Sequence, residues 1–581
     1  MDGAMHDLIL KGGTLITPDG ARQADLAITG EKIAAVGGDL AGKRVIDASG
    51  LFVLPGAVDP HVHLEMPAGA TRSSDDWFTG TRAAAIGGTT TVIDFVEPRP
   101  GERLEHALHE RRALAEGQAA VDFGLHMTVT EDSRETLADI EPLCAGGCVS
   151  FKTYLTYEGF RLSDAALLNV MAAVQAAGGI VLVHAENDAI IAYLKNSFRR
   201  EGFTAPRYHA LSRPAAAEGE AIGRALALAE TAGAAVYIVH TSTARGVEAI
   251  QAARGRGVNA WGETCPQYLL LTDRELSRPG FEGAKFVCSP PLRSAADNEA
   301  LWQALAAGGL QTVGTDHCPF YFDGQKTLGR ESYEAIPGGL PGIEARLSLI
   351  YSFGVASGRM TAQRWVEVCC ANPARIFGLY PRKGSLEPGA DADVVLFDPH
   401  LQWTLTHARL HEQVDYTPYE GFKMQGSPVL TLLRGQVVAE GGEDWFALGR
   451  DRQLSRIGNV RQPGRPLLME GDGSPGLGQP TAQSRWRAGR AGMLPVPGDQ
   501  TPADPQLVPK QALRQQTLEF FHRRGFVHNE MGREADTQPR TKIQRNARQP
   551  TVDGLAKRAV EPQRNAELRR GERLGGRSNY I

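Results

Sequence analysis

His61 and His63 flank one valine in GAVDPHVHLE, and residues two apart in an extended strand face the same side, so the two imidazoles project together. Imidazole is a ligand for borderline divalent metals, although a His-x-His pair alone is as compatible with satisfied polar side chains as with a ligand pair. Three further residues of ligand type end apolar runs of the same kind: His184 in GIVLVHAE, His240 in AAVYIVHTS and Asp316 in QTVGTDHCP. Polar residues that merely marked strand ends would be a mixture of Ser, Asn and Lys; four histidines and an aspartate are a metal-ligand set. Lys152, near the end of another such run, CVSFKTYL, would be a cation beside cations. A lysine in a strand is ordinarily a solvated edge residue. In this company a deprotonated amine that takes up CO2 becomes a carbamate, an oxygen-donor anion able to bridge two metals.

Residues scattered over some 250 positions meet only if the strands that carry them lie side by side with the same ends together. Eight apolar, β-branched runs are aligned in this way: GAVDPHVHL, TTTVIDFV, VDFGLHMTV, CVSFKTYL, GIVLVHAE, AAVYIVHTS, VNAWGETC and QTVGTDHCP. Between them lie helical stretches such as WFTGTRAAAIGG, SDAALLNVMAAVQAAGG, AEGEAIGRALALAETAG, TARGVEAIQAARGRG and NEALWQALAAGG. Strand-then-helix units repeated eight times predict an α/β fold, a (β/α)8 barrel over residues 56–382, whose active sites lie at the C-terminal ends of the strands. TAQRWVEVCCANPARIFGL reads as the closing helix. Residues 1–55 are short strand-like pieces with Gly and Asp turns, and residues 383–455 return to that pattern, so one small β-sandwich-like domain built from both ends of the chain is expected.

The formal charge of −5 conceals an asymmetry: residues 456–581 carry about +10 and the remainder about −15. That extension is rich in Arg, Pro, Gly and Gln, lacks a sustained apolar period, and reads as disordered. Arg-rich disordered segments are common and no binding fold accompanies this one, so no nucleic-acid partner is expected. Neither a secretory leader nor an apolar run of about 18 residues is found, so no membrane association and a cytoplasmic location are expected. Apart from Cys144/Cys148 and the adjacent Cys369/Cys370 the seven cysteines are scattered singly, and they indicate neither a disulfide framework nor a thiolate metal site.

From about residue 5 to 440 the chain resembles the cyclic amidohydrolases, dihydropyrimidinase and D-hydantoinase above all, in the ordered stretches GAVDPHVHLEMP, GTTTVIDFVEP, FKTYLTY, VHAEN, GETCPQYL, CSPPLRS and VGTDHCPF. The resemblance implies two divalent ions, Zn2+, per subunit: one held by His61, His63 and Asp316, a second by His184 and His240, with Lys152 as N6-carboxylysine between them. It implies hydrolysis of a small neutral cyclic amide, a 5,6-dihydropyrimidine or a 5-substituted hydantoin, by a metal-bridging hydroxide. Asp316 would accept the water's proton and return it to the leaving ring nitrogen. Tyr157, five residues after Lys152, would hydrogen-bond the developing oxyanion, although an aromatic in YLTYEGF could also simply pack. Substrate amide edges would be held by backbone groups at Ser289 and at Gly338, which stands where the family has an asparagine. Two loops, Leu64 to Thr71 and Thr153 to Phe160, would cover the exocyclic substituent, with Leu64 and Tyr154 in contact with it and Ala68 in place of a frequent bulky aromatic. The family's usual assembly implies a homotetramer.

Two enzymes and one non-enzyme compete with this reading. Dihydroorotase typically follows its His-x-His pair with an arginine for the substrate carboxylate, where this chain has Glu65. Allantoinase acts on a related cyclic ureide, but TVIDFVEP, FKTYLTY and CSPPLRS fit dihydropyrimidinase better. Collapsin-response-mediator-like scaffolds share the fold and have lost metal ligands, whereas every ligand position is filled here.

Overall fold

The eight apolar runs become eight parallel strands in a computed structural model that describes residues 5–441 and 443–444. They are Ala57–Val62, Thr89–Val96, Asp122–Thr128, Ser150–Tyr154, Ile180–His184, Ala235–Ile238, Ala260–Thr264 and Thr312–Val313, each hydrogen-bonded to the next in chain order. All eight residues of Thr89–Val96 are buried, as expected of strands covered on both faces. This burial is why the runs lack polar alternation. The seam between first and last strands is closed by a parallel bridge from Val62 to His317, with the His63 amide donating to the His317 carbonyl at 2.8 Å.

Helices cover the outside, and several begin on a side chain suited to the purpose. Asp76, Ser133, Ser163, Thr243 and Ser294 each accept a hydrogen bond from a backbone N–H in the first turn of the helix that follows. Helices Asp164–Ala177, Ala215–Ala232 and Ala295–Ala307 end on Gly178, Gly233 and Gly308 in the left-handed region. After the fifth strand the chain inserts Asp188–Arg200 and Arg207–Leu211 before the covering helix, and residues from both insertions reach the barrel mouth.

Both ends of the chain share one seven-stranded sheet: Thr14–Thr17, Gly20–Gln23 and Phe52–Pro55 join Val394–Thr404, Lys423–Leu433, Gln436–Glu440 and Glu443–Asp444. The link is antiparallel pairing of Phe52–Pro55 with Val394–Phe397. A four-stranded sheet of His6–Lys11, Asp25–Thr29, Lys32–Gly37 and Gly42–Asp47 packs on it through Leu10, Leu26, Val53, Leu396 and Leu432. Lys383 fastens this part to the barrel. It is buried between Asp393 at 2.7 Å, Asp391 at 3.1 Å and Asp122, the first residue of the third barrel strand. The extension expected over 456–581 lies outside the described residues. Among the described residues no helix is long and apolar enough to cross a membrane.

Side chains reinforce the seam from inside. Asp59 Oδ1 accepts from the His61 amide at 3.2 Å and the Thr315 amide at 3.1 Å, and Asp59 Oδ2 accepts from the Thr315 hydroxyl at 2.7 Å. Beneath it Arg346, fully buried, donates to the carbonyls of Val58 (3.0 Å) and Val313 (2.8 Å), one on each side of the seam, with its Nε 3.7 Å from Asp59. Replacing Arg346 with Met leaves Asp59 buried without its cation and is expected to cost about 3–5 kcal/mol. Thermal or denaturant unfolding checks this; an unchanged midpoint would show that the seam does not need the ion pair.

Candidate metal centre

The six residues of ligand type come together at the C-terminal mouth of the barrel, all lining one cavity of ≈ 680 Å³. His61 lies within the first strand and His63 just past it, Lys152 within the fourth, and His184 at the last position of the fifth. His240 and Asp316 sit two and three residues beyond the sixth and eighth strands, in turns rather than at strand ends. Their φ values of +39° and +53° are left-handed, a conformation that costs energy for residues with a Cβ and collects at functional sites. Tyr157 (φ +77°) and Glu65 (φ +50°) share it.

The distances are those of a ligand cluster. His61 Nε2 and His63 Nε2 each lie 3.2 Å from Asp316 Oδ1, and donor atoms of His61, His240 and Asp316 all fall within 4.8 Å of one another. The His184 and His240 rings are 4.6 Å apart, and His61 and His240 5.4 Å. Three buried nitrogens, His61 Nε2, His63 Nδ1 and His240 Nδ1, have no hydrogen-bond partner. Unsatisfied buried polar atoms are costly, and a cation accepting their lone pairs removes the cost. Burial pulls the His61 and His240 imidazoles well below their ordinary range and lowers His184 too, so all three are held neutral with lone pairs available. Burial alone would raise the Asp316 carboxyl, but its surroundings, the hydrogen bond from His63 included, hold it below the ordinary range. The donor set therefore fits divalent metal.

Lys152 is buried with its Nζ over the faces of Phe95 (4.8 Å) and Tyr154 (5.0 Å). Burial lowers its pKa to about 8 against the pull of Asp316 and Glu263, so the neutral amine is reached far more readily than in a solvated lysine.

Carboxylates behind the ligands set their orientation. Glu263 Oε1 accepts from His61 Nδ1 at 2.7 Å and from the His240 amide at 2.9 Å, while its Oε2 accepts from the Tyr237 hydroxyl at 2.8 Å. Glu186 Oε2 accepts from His184 Nε2 at 2.8 Å, leaving Nδ1 as that ring's remaining lone pair. Buried Arg213 pairs with Glu186 and, outweighing burial, brings its carboxyl to about 2. Sequence reasoning assigned none of the three. Glu263 ends the seventh run, GETC, as the ligands end theirs, and Glu186 follows His184 by two residues; Arg213 carries no such signal.

Of the residues expected to meet substrate, Tyr157, Tyr154, Ser289 and Gly338 line the cavity. Burial raises the Tyr157 hydroxyl to about 12, which keeps it a donor, and Arg213 lies 5.3 Å over its ring. A Cβ at Gly338 would come no nearer than 3.5 Å to Ser289 Oγ, so the glycine is not imposed by space. Leu64 does not line the cavity. It is fully buried, with its side chain packed into the space above Gly80 and its amide held by Asp94 at 2.7 Å, and Met66 to Thr71 form that wall instead. Glu65 also lies outside the lining, its carboxylate 3.9 Å from Arg72.

Residues 52–438 match the model of the amidohydrolase family. The chain is 46% identical over 434 residues to D-hydantoinase of Geobacillus stearothermophilus, an alignment covering 74% of this chain and 92% of that one. It is 44% identical over 438 residues to D-hydantoinase of Rhizobium radiobacter, covering 75% and 96%. Among solved structures it superposes on dihydropyrimidinase from Brevibacillus agri with a TM-score of 0.74 and 43% identity, over 75% of this chain and 96% of that one. L-Hydantoinase from Arthrobacter aurescens gives a TM-score of 0.71 and 34% identity, over 76% and 97%.

Partners behind metal-bound histidines typically matter by about 10–100-fold in affinity. Glu263→Gln is therefore expected to weaken divalent-metal binding by about that factor while the fold persists. Metal titration with a competing chelator checks this; unchanged affinity would show that His61 is oriented by something else.

Proposed function

Because the chain belongs to the amidohydrolase family, we propose that it opens the ring of neutral cyclic amides, 5,6-dihydropyrimidines and 5-substituted hydantoins, by hydrolysing one ring C–N bond. The observation that carries the reading is the meeting of His61, His63, Lys152, His184, His240 and Asp316 in one cavity beside Tyr157 and Ser289. Members of this family generally bind metal ions. In this reading His61, His63 and Asp316 would hold one ion and His184 and His240 a second, with carboxylated Lys152 supplying a further oxygen donor. When bound, two divalent ions, Zn2+ for this set of nitrogen and oxygen donors, supply the Lewis acidity that makes water nucleophilic near neutral pH and polarises the ring carbonyl.

The chain's own groups do the rest. Asp316, held ionised, takes the proton of the attacking water on a carboxylate oxygen and delivers it to the ring nitrogen as the C–N bond breaks. The Tyr157 hydroxyl donates to the carbonyl oxygen as negative charge gathers on it. Backbone groups at Ser289 and Gly338 hold the amide edge. The position after Leu64 supplies no cation, Glu65 lying outside the lining, and Arg213 within the lining is paired with Glu186, which supports an uncharged ring over a carboxylated one. A homotetramer acting in the cytoplasm belongs to the same proposal, which sedimentation and fractionation test.

A substrate panel tests the reaction. Dihydrouracil, dihydrothymine or 5-substituted hydantoins are expected to open while dihydroorotate does not; turnover of dihydroorotate with the neutral rings inert would refute the assignment. Lys152→Ala should lower turnover by about a thousandfold or more and strip metal, with partial rescue of both by a short carboxylate. Full activity in that variant would remove the carbamate from the scheme. Tyr157→Phe should lower kcat by about 10²–10³ with metal retained, and an undiminished kcat would exclude it as an oxyanion donor.

A further inference from the structure

The two backbone segments assigned to the substrate's amide edge are tied together by a lysine that has no place in the chemistry. Lys326 is fully buried, and its Nζ donates to the carbonyls of Val287, Pro337 and Gly339, each at 2.8 Å. Val287 lies two residues before Ser289, and Pro337 and Gly339 flank Gly338. An ammonium has three donors and no acceptor, so its hydrogen-bonding capacity is used entirely on these two segments. No carboxylate pairs with Lys326 among the described residues. Burial pulls its pKa down to about 7, and the three carbonyl acceptors at 2.8 Å match the three donors of the charged form.

The clamped segments need an external constraint. Gly338 and Gly339 are consecutive glycines, the residues with the most backbone freedom to lose. Their neighbours are already fixed. The Gly339 amide donates to the Val287 carbonyl at 3.0 Å, and the Cys318 amide donates to the Leu340 carbonyl at 3.0 Å, fastening this loop to the turn that bears Asp316. At Gly339 a Cβ would meet the Cys318 carbonyl oxygen at 2.3 Å, so the approach is too close for any other residue. On the lysine's own side, a Cβ at Gly329 would meet the Ile336 amide nitrogen at 2.6 Å, so the segment carrying Lys326 is wedged against the same loop.

We propose that Lys326 is a positioning residue for substrate binding, whose ammonium fixes the spacing and orientation of the peptide groups at Ser289 and Gly338 relative to the metal ligands. The proposal rests on reading those two segments as the holders of the substrate amide. A lysine suits the task because three rotatable donors can meet three converging carbonyls, which a planar guanidinium cannot do in the same space.

The test is Lys326→Met in the zinc-loaded enzyme, a change that keeps an apolar stem and removes the donors. KM for the best neutral substrate should rise at least about tenfold, with kcat within about threefold of wild type and zinc content unchanged. A folded, zinc-replete variant with wild-type KM, or one whose loss falls wholly on kcat, would overturn the proposal. Hydrogen exchange on the wild-type enzyme provides the second arm and decides the matter should the variant not fold. Peptides covering 286–290 and 336–340 should open as one unit, and opening rates that differ by more than about tenfold would also overturn it. If the wild-type enzyme opens no ring on the panel, the functional reading falls, while the exchange result still decides whether the clamp exists.

Discussion

One buried carboxylate spans the seam where the barrel closes, and the site depends on it. Asp59 holds the amide of His61 on one side and the amide and hydroxyl of Thr315 on the other, so the first and last barrel strands are fixed in register where their ligands emerge. His61 and His63 come within 3.2 Å of Asp316 because of that register. Burial raises the Asp59 carboxyl above its ordinary range, and Arg346 beneath it is the strongest opposing influence. Structural and functional demands thus meet within three residues of the first strand: Asp59 closes the barrel, and His61 uses the closure.

Three buried lysines show how surroundings decide what the same side chain does. Lys383 faces Asp122, Asp391 and Asp393, which outweigh its burial and hold it charged as a staple between the barrel and the small sheets. Lys326 meets three carbonyls and no carboxylate, and serves as a hydrogen-bonding hub. Lys152 has the faces of Phe95 and Tyr154 beside it, and its burial lowers its pKa against the pull of Asp316 and Glu263. Of the three it alone stands among the residues of ligand type. Glu263 and Glu186 complete the logic by taking the far nitrogens of His61 and His184, so that each ring presents its other nitrogen to the cavity.

Much of this was legible in the sequence because strands buried on both faces must be continuously apolar. The eight runs stand out for that reason, and polar residues at their ends are conspicuous. That is how His61, His184 and Asp316 were found, although His240 and Asp316 proved to sit in left-handed turns that no alternation pattern could have placed. Arg346, Arg213 and Lys326 were not legible, since each acts through partners distant in sequence, and a buried cation reads in one dimension like any surface Lys or Arg. Leu64 misled for a different reason. The family resemblance implied that Leu64 heads a loop covering the substituent, but its side chain packs against the helix containing Gly80 and stays outside the lining.

The most direct measurement is the metal and carbamate content of the enzyme reconstituted with Zn2+ and 13C-bicarbonate, read by elemental analysis and carbon NMR. About two zinc ions per chain are expected, together with a carbamate signal that disappears in Lys152→Ala. Protein that takes up no stoichiometric metal and shows no carbamate would contradict the two-metal centre and leave the barrel as a scaffold.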